Sequence, residues 1–126
     1  MTATPARTIL LVEDDESLRP LLRRVLEGDG YDVLSAAEPF EALALAAQTD
    51  RPIDLLLTDV VMPNLSGREL AKRVSAVHGE TRLLYMSGGT DAQMLQEGVV
   101  AGGSLFLQKP FGLTELSRRV REILGA

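Results

Sequence analysis

Five short apolar runs alternate along the chain with segments whose apolar residues recur at the spacing of a helix. Runs this short and this continuous are typical of strands that are covered on both faces. Strands that alternate with helices predict right-handed βαβ units, and hence one parallel sheet with helices on both sides. This doubly wound α/β class is the predicted fold. The predicted strands lie at 8–13, 31–36, 53–58, 82–86 and 105–108.

The helical segments follow the strands. Apolar residues at i, i+3, i+4 and i+7 mark amphipathic helices, each with one face for the core. Between the fourth and fifth strands, Gly98, Gly102 and Gly103 disfavour a stable helix within 91–103, because glycine lowers helix propensity. Elsewhere we predict helices at about 17–28, 39–47, 70–77 and 113–124.

Size and composition bound the function. The 126 residues suit one domain, predicted over 1–126 with a core at about 7–124. A net charge of −5 provides no field to attract nucleic acid or an anionic membrane, and no apolar stretch is long enough to cross a bilayer. With no cysteine and a single histidine, His78, which we expect on the surface, soft metal sites are excluded. We expect a cytoplasmic domain without direct nucleic-acid or membrane contact.

Reactive side chains stand where four of the apolar runs stop. Glu13 and Asp14 follow the first run, Asp59 the third, Ser87 the fourth and Lys109 the fifth. In a parallel sheet these residues gather at the carboxyl edge, where open α/β sheets bind ligands. Crowded carboxylates need a cation, and oxygen ligands favour Mg²⁺. A carboxylate can attack a phosphoryl group while the metal ion and a lysine neutralise its oxygens, so the pattern predicts phosphoryl acceptance.

The chain resembles a response-regulator receiver domain, of the chemotaxis-regulator kind. The motifs that carry the resemblance are 12–19, 57–63, Gly67, 86–88 and 109–111, in the family's order. The resemblance implies a flavodoxin-like (βα)5 sandwich with strand order 2-1-3-4-5. It implies a two-component signalling phosphoprotein, supplied by a histidine kinase or a histidine phosphotransfer protein, rather than an enzyme. Such a domain assists its own phosphorylation and dephosphorylation.

The family's reactive residues map onto this sequence position by position. Asp59 matches the phosphoacceptor, Lys109 the catalytic lysine and Ser87 the switch hydroxyl. Phe106 stands where the family often has an aromatic residue that changes rotamer on phosphorylation. The bond before Pro110 is expected to be cis, as in the family.

The same resemblance implies a site for Mg²⁺, or Mn²⁺, beside the phosphoacceptor. Glu13 and Asp14 match the acidic pair, with Asp14 as the direct ligand and Glu13 acting through water. Asp15 offers a second possible pair with Asp14, but the family's spacing favours the first. Asp59 itself and the backbone carbonyl of Val61 complete the implied ligand set.

The resemblance also implies an output surface formed by the fourth helix, the fifth strand and the fifth helix. Glycines at 88–89 and 98–103 lead us to expect that this surface switches partly by ordering. Val61 and Gly89 cannot orient an attacking water, so we expect slow self-dephosphorylation. Two alternative functions stay open: a Mg²⁺-dependent phosphohydrolase with an aspartyl-phosphate intermediate, and a phosphorylation-independent interaction module. Two contexts also stay open: a stand-alone regulator and the C-terminal receiver of a hybrid sensor histidine kinase.

Overall fold

The computed structural model describes residues 6–88 and 105–125. Strands and helices alternate through these residues, as the sequence pattern predicts. The elements are β1 (Thr8–Val12), α1 (Leu18–Gly28), β2 (Asp32–Ala36), α2 (Pro39–Gln48), β3 (Leu55–Asp59), α3 (Gly67–Val77), β4 (Arg82–Ser87), β5 (Leu105–Gln108) and the C-terminal helix (Leu113–Leu124). The segment 91–103, whose glycines disfavour a stable fourth helix, lies outside the described residues.

The five strands form one parallel sheet in the order β2-β1-β3-β4-β5. The doubly wound, flavodoxin-like fold is therefore confirmed. β3 begins two residues later than predicted, at Leu55. The reason is Asp54, whose side-chain Oδ2 accepts the Thr8 N–H at 2.7 Å, a donor that the backbone of a regular strand would otherwise pair.

The core has one large apolar cluster on each face of the sheet, and a small third cluster at Val60 and Tyr85. On one face, alternate strand residues such as Leu11 and Leu57 pack on α1 and the C-terminal helix. On the other face, their neighbours Leu10 and Leu56 pack on α2 and α3. These four side chains are at most 1% exposed, which explains why the strands read as continuous apolar runs.

The ends of the helices agree with local capping chemistry. α2 begins at Pro39, where the Glu38 carboxylate accepts the Phe40 and Glu41 N–H groups. α3 begins at Gly67, three residues earlier than predicted. His78, expected on the surface, is half-buried, and its ring Nε2 donates to the Ala46 carbonyl at 2.8 Å.

None of the described helices has both the length and the apolar character needed to cross a membrane.

Candidate functional site

Three charged side chains meet at the carboxyl edge of the sheet. Glu13, Asp59 and Lys109 each lie two positions after a strand residue of the cluster that packs on α1, so strand alternation places them on one side of the sheet. The ladder continues past the strand ends, because the Glu13 N–H donates to the Ala36 carbonyl (3.1 Å) and the Lys109 N–H to the Ser87 carbonyl (2.6 Å). The backbone pairing thus brings residues from three strands to one point.

The Lys109 ammonium lies between two buried carboxylates. Its Nζ is 2.6 Å from Glu13 Oε1 and 2.8 Å from Asp59 Oδ1. The Glu13 and Asp59 side chains are 1% and 8% exposed, whereas Lys109 is 28% exposed. Because one ammonium serves two carboxylates, the buried group is short of positive charge. The Lys109–Pro110 bond is cis, as predicted.

A third carboxylate, from Asp14, completes an acidic cluster. Oxygens of Glu13, Asp14 and Asp59 lie within 4.8 Å of one another. Asp15 instead contacts the start of α1. Its Oδ1 accepts the N–H groups of Ser17 (2.8 Å) and Leu18 (2.9 Å). The fold therefore brings the pair Glu13–Asp14 to Asp59 and leaves Asp15 as a cap of the helix.

Burial and crowding shift the pKa values of the cluster. Burial raises the pKa of Asp59 to about 7, with the Lys109 hydrogen bond opposing the rise and the Glu13 charge adding to it. Burial also disfavours the Glu13 anion, but hydrogen bonds from Lys109 and the Asp15 N–H outweigh it, and the pKa of Glu13 lies below its usual value. A hydrogen bond shared with Glu13, followed by partial burial, raises the pKa of Asp14. Burial lowers the pKa of Lys109 less than its two carboxylate partners raise it.

The donor set fits a hard divalent cation. Glu13, Asp14 and Asp59 supply only carboxylate oxygens, and Asp14 is exposed, so the cluster is open to solvent on one side. Mg²⁺ prefers such sites because it keeps several of its waters. The raised pKa of Asp59 reflects the repulsion and burial that a cation would offset.

The loop between β3 and α3 packs tightly on the backbone of Asp59. A Cβ built on Gly67 would lie 2.1 Å from the Asp59 carbonyl oxygen, so only glycine fits there. The Gly67 N–H donates to the Val60 carbonyl at 2.7 Å, and Asn64 supplies a residue with φ of 75°. Val61 lies in this loop with its side chain 50% exposed.

Thr58 is a polar residue near the site to which the sequence analysis assigns no role. It is fully buried, and its hydroxyl lies 3.1 Å from the Asp59 carbonyl oxygen and 3.7 Å from Met62 Sδ. A hydroxyl in an otherwise apolar run was the available signal, but its partners depend on the loop that follows the strand.

Ser87 and Phe106 lie on the other face of the sheet from the charged group. Ser87 Oγ is buried without a hydrogen-bond partner among the described residues. Phe106 pairs with Tyr85 in the ladder, and its half-buried ring packs beside Tyr85 and Val60. Because Tyr85 and Ser87 are two residues apart on β4, the hydroxyl and both aromatic rings share a face.

An apolar groove of about 480 Å³ adjoins the charged group at Lys109. Two exposed leucines, Leu21 and Leu113, are 41% and 37% exposed there. The groove therefore exposes apolar surface beside the charged group. Its lining residues are Leu18, Leu21, Lys109, Pro110, Phe111 and Leu113.

Solved structures with this fold include signalling proteins. Chemotaxis protein CheY4 of Vibrio cholerae matches with a TM-score of 0.81 and 31% identity, over 95% of this chain and all of that chain (100%). The receiver domain of the hybrid histidine kinase CckA matches with a TM-score of 0.76 and 35% identity, over 93% and 98% of the two chains.

Sequence relatives agree. Response regulator MprA of Mycobacterium leprae is 38% identical over 116 residues, which is 92% of this chain and 50% of that protein. The chain thus spans about half the length of the curated relatives it matches. The family model of the response regulator receiver domain matches residues 9–121. The chain therefore belongs to the response-regulator receiver domains of two-component signalling systems.

Proposed function

We propose that this domain accepts a phosphoryl group on Asp59, in the cytoplasm, from the phosphohistidine of a histidine kinase or a histidine phosphotransfer protein. The observation that carries the proposal is the buried Asp59 carboxylate at the end of β3, 2.8 Å from the Lys109 ammonium and beside the Glu13 and Asp14 carboxylates. The apolar groove beside Lys109 favours a macromolecular donor over a small phosphate ester.

The chemistry follows from the positions of the side chains. An Asp59 carboxylate oxygen attacks the phosphorus, the P–N bond of the donor breaks, and the imidazole keeps the electron pair and takes up a proton. Lys109, already within hydrogen-bond distance of Asp59, is placed to neutralise an oxygen of the arriving group.

Glu13, Asp14 and Asp59, with the backbone carbonyl of Val61, would hold Mg²⁺ or Mn²⁺ in this proposal. The ion, when bound, supplies positive charge to the phosphoryl oxygens during transfer. The residues of this chain do the rest: Glu13 anchors the Lys109 ammonium at 2.6 Å, and the Asp15 N–H holds the other Glu13 oxygen at 3.0 Å.

The switch in this proposal begins at Ser87. A buried hydroxyl without a partner is costly, and a phosphoryl oxygen on Asp59 would give Ser87 Oγ an acceptor. Movement of Ser87 opens space on the face that holds Phe106, so that the ring turns inward and alters the surface around β5 and the C-terminal helix. The fourth helix of the predicted output surface lies outside the described residues.

Intact mass spectrometry tests the phosphoacceptor. The protein is incubated with Mg²⁺ and acetyl phosphate, alongside Asp59→Asn and a matched control, Asp50→Asn, which changes an exposed aspartate outside the acidic cluster. We expect one phosphoryl adduct on the unchanged protein and on the control, and none on Asp59→Asn. Phosphate release without an adduct would instead support a phosphohydrolase, and no reaction would support an interaction module.

Two further measurements address the switch and the lifetime. Beryllofluoride, a phosphate mimic, should slow amide exchange in the segment 88–106. Unchanged exchange there would contradict the switch. Because Val61 cannot hold an attacking water by a hydrogen bond, the adduct should persist for minutes or longer after acetyl phosphate is removed. Decay within seconds would contradict slow self-dephosphorylation.

A further inference from the structure

We infer that Thr58 is a positioning residue of the site, and that its hydroxyl holds the peptide between Asp59 and Val60 in the orientation that metal binding requires. The inference rests on the proposed function of Asp59 and adds to it a residue outside the acidic cluster.

Thr58 is a buried hydroxyl among apolar neighbours. It is 0% exposed, and in the sheet it pairs with Val12 on β1 and Tyr85 on β4. A hydroxyl in such a place destabilises the fold unless it makes a hydrogen bond. The Asp59 carbonyl at 3.1 Å is a stronger acceptor than the Met62 thioether at 3.7 Å, so the carbonyl is the partner that matters.

The other polar atom of the peptide that Thr58 contacts, the Val60 N–H, is also paired, and so is the carbonyl of the next peptide. The Val60 N–H donates to the Met86 carbonyl at 3.1 Å, and the Val60 carbonyl accepts from the Gly67 N–H at 2.7 Å. Gly67 closes one side of the Asp59 carbonyl, where a Cβ would lie 2.1 Å away. Thr58 is the one side chain among the described residues that donates to this carbonyl.

This peptide separates the two groups that the proposed site needs. On one side of it is the Cα that carries the Asp59 carboxylate, and one residue further on is Val61 with its backbone carbonyl. If the Thr58 donor is lost, the buried Asp59 carbonyl is left without this partner, and rotation of the peptide is the way to find another. Such a rotation moves both oxygen ligands, so the effect on metal binding exceeds the effect on folding.

Three variants separate the hydroxyl from the packing of the side chain. Thr58→Val has the same shape without the donor, and Thr58→Ser keeps the donor without the methyl group. Thr8→Val is the matched control. It removes the hydroxyl of another buried threonine, which lies at the start of β1, whereas Thr58 pairs with Val12 at the end of that strand. Titration calorimetry with Mg²⁺ alone, thermal unfolding without Mg²⁺ and the rate of phosphorylation by acetyl phosphate are measured for each.

We expect Thr58→Val to bind Mg²⁺ about tenfold more weakly than the unchanged protein. It should also unfold at a somewhat lower temperature, because the buried Asp59 carbonyl loses its donor, but it should stay folded at the temperature of the titration. Phosphorylation at subsaturating Mg²⁺ should slow by a similar factor. Thr58→Ser should restore most of the Mg²⁺ affinity, and Thr8→Val should keep all of it. Thr58→Ala, which also removes the donor, replaces Thr58→Val if that variant does not fold.

Unchanged Mg²⁺ affinity in Thr58→Val would overturn the inference, and so would an equal loss in Thr58→Ser or Thr8→Val. Failure of the proposed function gives a different result, in which the unchanged protein forms no adduct at all. The Mg²⁺ titrations still decide the role of Thr58 in that case, because they do not depend on phosphorylation.

Discussion

The two edges of the sheet differ in how their polar groups are satisfied. At the carboxyl edge, two buried carboxylates share the Lys109 ammonium, and Ser87 Oγ has no partner among the described residues. At the amino edge, several polar groups of the described residues are paired by hydrogen bonds. The bonds there join Asp54 to Thr8 (2.7 Å), Arg82 to the Ile123 carbonyl (2.7 Å), Thr81 to the Ile53 carbonyl (2.7 Å) and His78 to the Ala46 carbonyl (2.8 Å).

The difference indicates that the two edges of the sheet have different roles. Paired polar groups at the amino edge join neighbouring strands and helices and stabilise the fold. Crowded, under-paired groups at the carboxyl edge cost stability, and in the proposed function they bind a cation and a phosphoryl group. Substitutions at the carboxyl edge should therefore reduce the phosphorylation rate without lowering the stability of the fold. Substitutions at the amino edge should lower the stability without changing the phosphorylation rate.

The largest expected effect is on activity, at Lys109. Lys109→Ala should slow phosphorylation by acetyl phosphate by about 10²–10³-fold, because it removes the ammonium that lies beside Asp59. The rate is followed by intact mass at saturating Mg²⁺. Arg82→Ala, which removes a cation at the amino edge, is the control and should keep the normal rate. Equal slowing in both variants would contradict the proposed separation of the edges.

A smaller effect, on stability alone, is expected at Asp54. Asp54→Ala leaves the buried Thr8 N–H without its carboxylate partner and should lower the free energy of unfolding by about 1–3 kcal/mol in urea denaturation. The phosphorylation rate should be unchanged. The exposed neighbour Asp50, changed to alanine, should alter stability by less than about 0.5 kcal/mol. An Asp54→Ala protein of normal stability would show that the amino edge is not built as we describe.

Asp59→Asn should stabilise the metal-free protein while abolishing the adduct. The pKa of Asp59 is raised from 3.8 to about 7, so between these pH values the folded protein keeps a proton that the unfolded chain has lost. Ionisation therefore weakens the folded state as the pH rises through this window. In EDTA, the stability advantage of Asp59→Asn should be small at pH 4 and grow as the pH rises to 8. If this advantage shrinks as the pH rises, the ionised Asp59 carboxylate does not destabilise the folded protein.

The smallest effect is expected for an exposed ion pair at the amino edge. Arg51 and Asp32 pair with side chains that are about half exposed. Arg51→Ala should lower the free energy of unfolding by less than about 1 kcal/mol, because solvent and salt screen such pairs. Urea denaturation at low and high salt measures it. A loss larger than that for Asp54→Ala would mean that exposed charges, rather than buried bonds, stabilise this edge.

Much of the fold was predictable because its signals are local. Apolar runs and helical spacing identified all five strands and four helices of the described residues to within about three residues. The resemblance correctly predicted the strand order and the cis bond before Pro110. The placement of Glu13, Asp14, Asp59 and Lys109 at one edge follows from parallel pairing alone.

Other features of the site depend on contacts that the sequence pattern does not contain. Asp14 and Asp15 are adjacent acids with different contacts. The turn into α1 directs Asp14 to the acidic cluster and Asp15 to the N–H groups at the start of the helix. The hydrogen bonds of Thr58 and His78 were missed. The first depends on the orientation of the next peptide, and the second on the approach of another helix, α2.

The sequence by itself determined the parallel α/β class and the residues that follow the strands, because periodicity and strand ends are properties of neighbouring residues. The tertiary structure alone decided how those residues meet. Lys109 reaches Glu13 across 96 positions of the chain, and Gly67 packs on the Asp59 carbonyl, which no local rule measures. Distances of this kind depend on strand order and register, and these decide which carboxylate is buried, which is paired and which is left to bind a ligand.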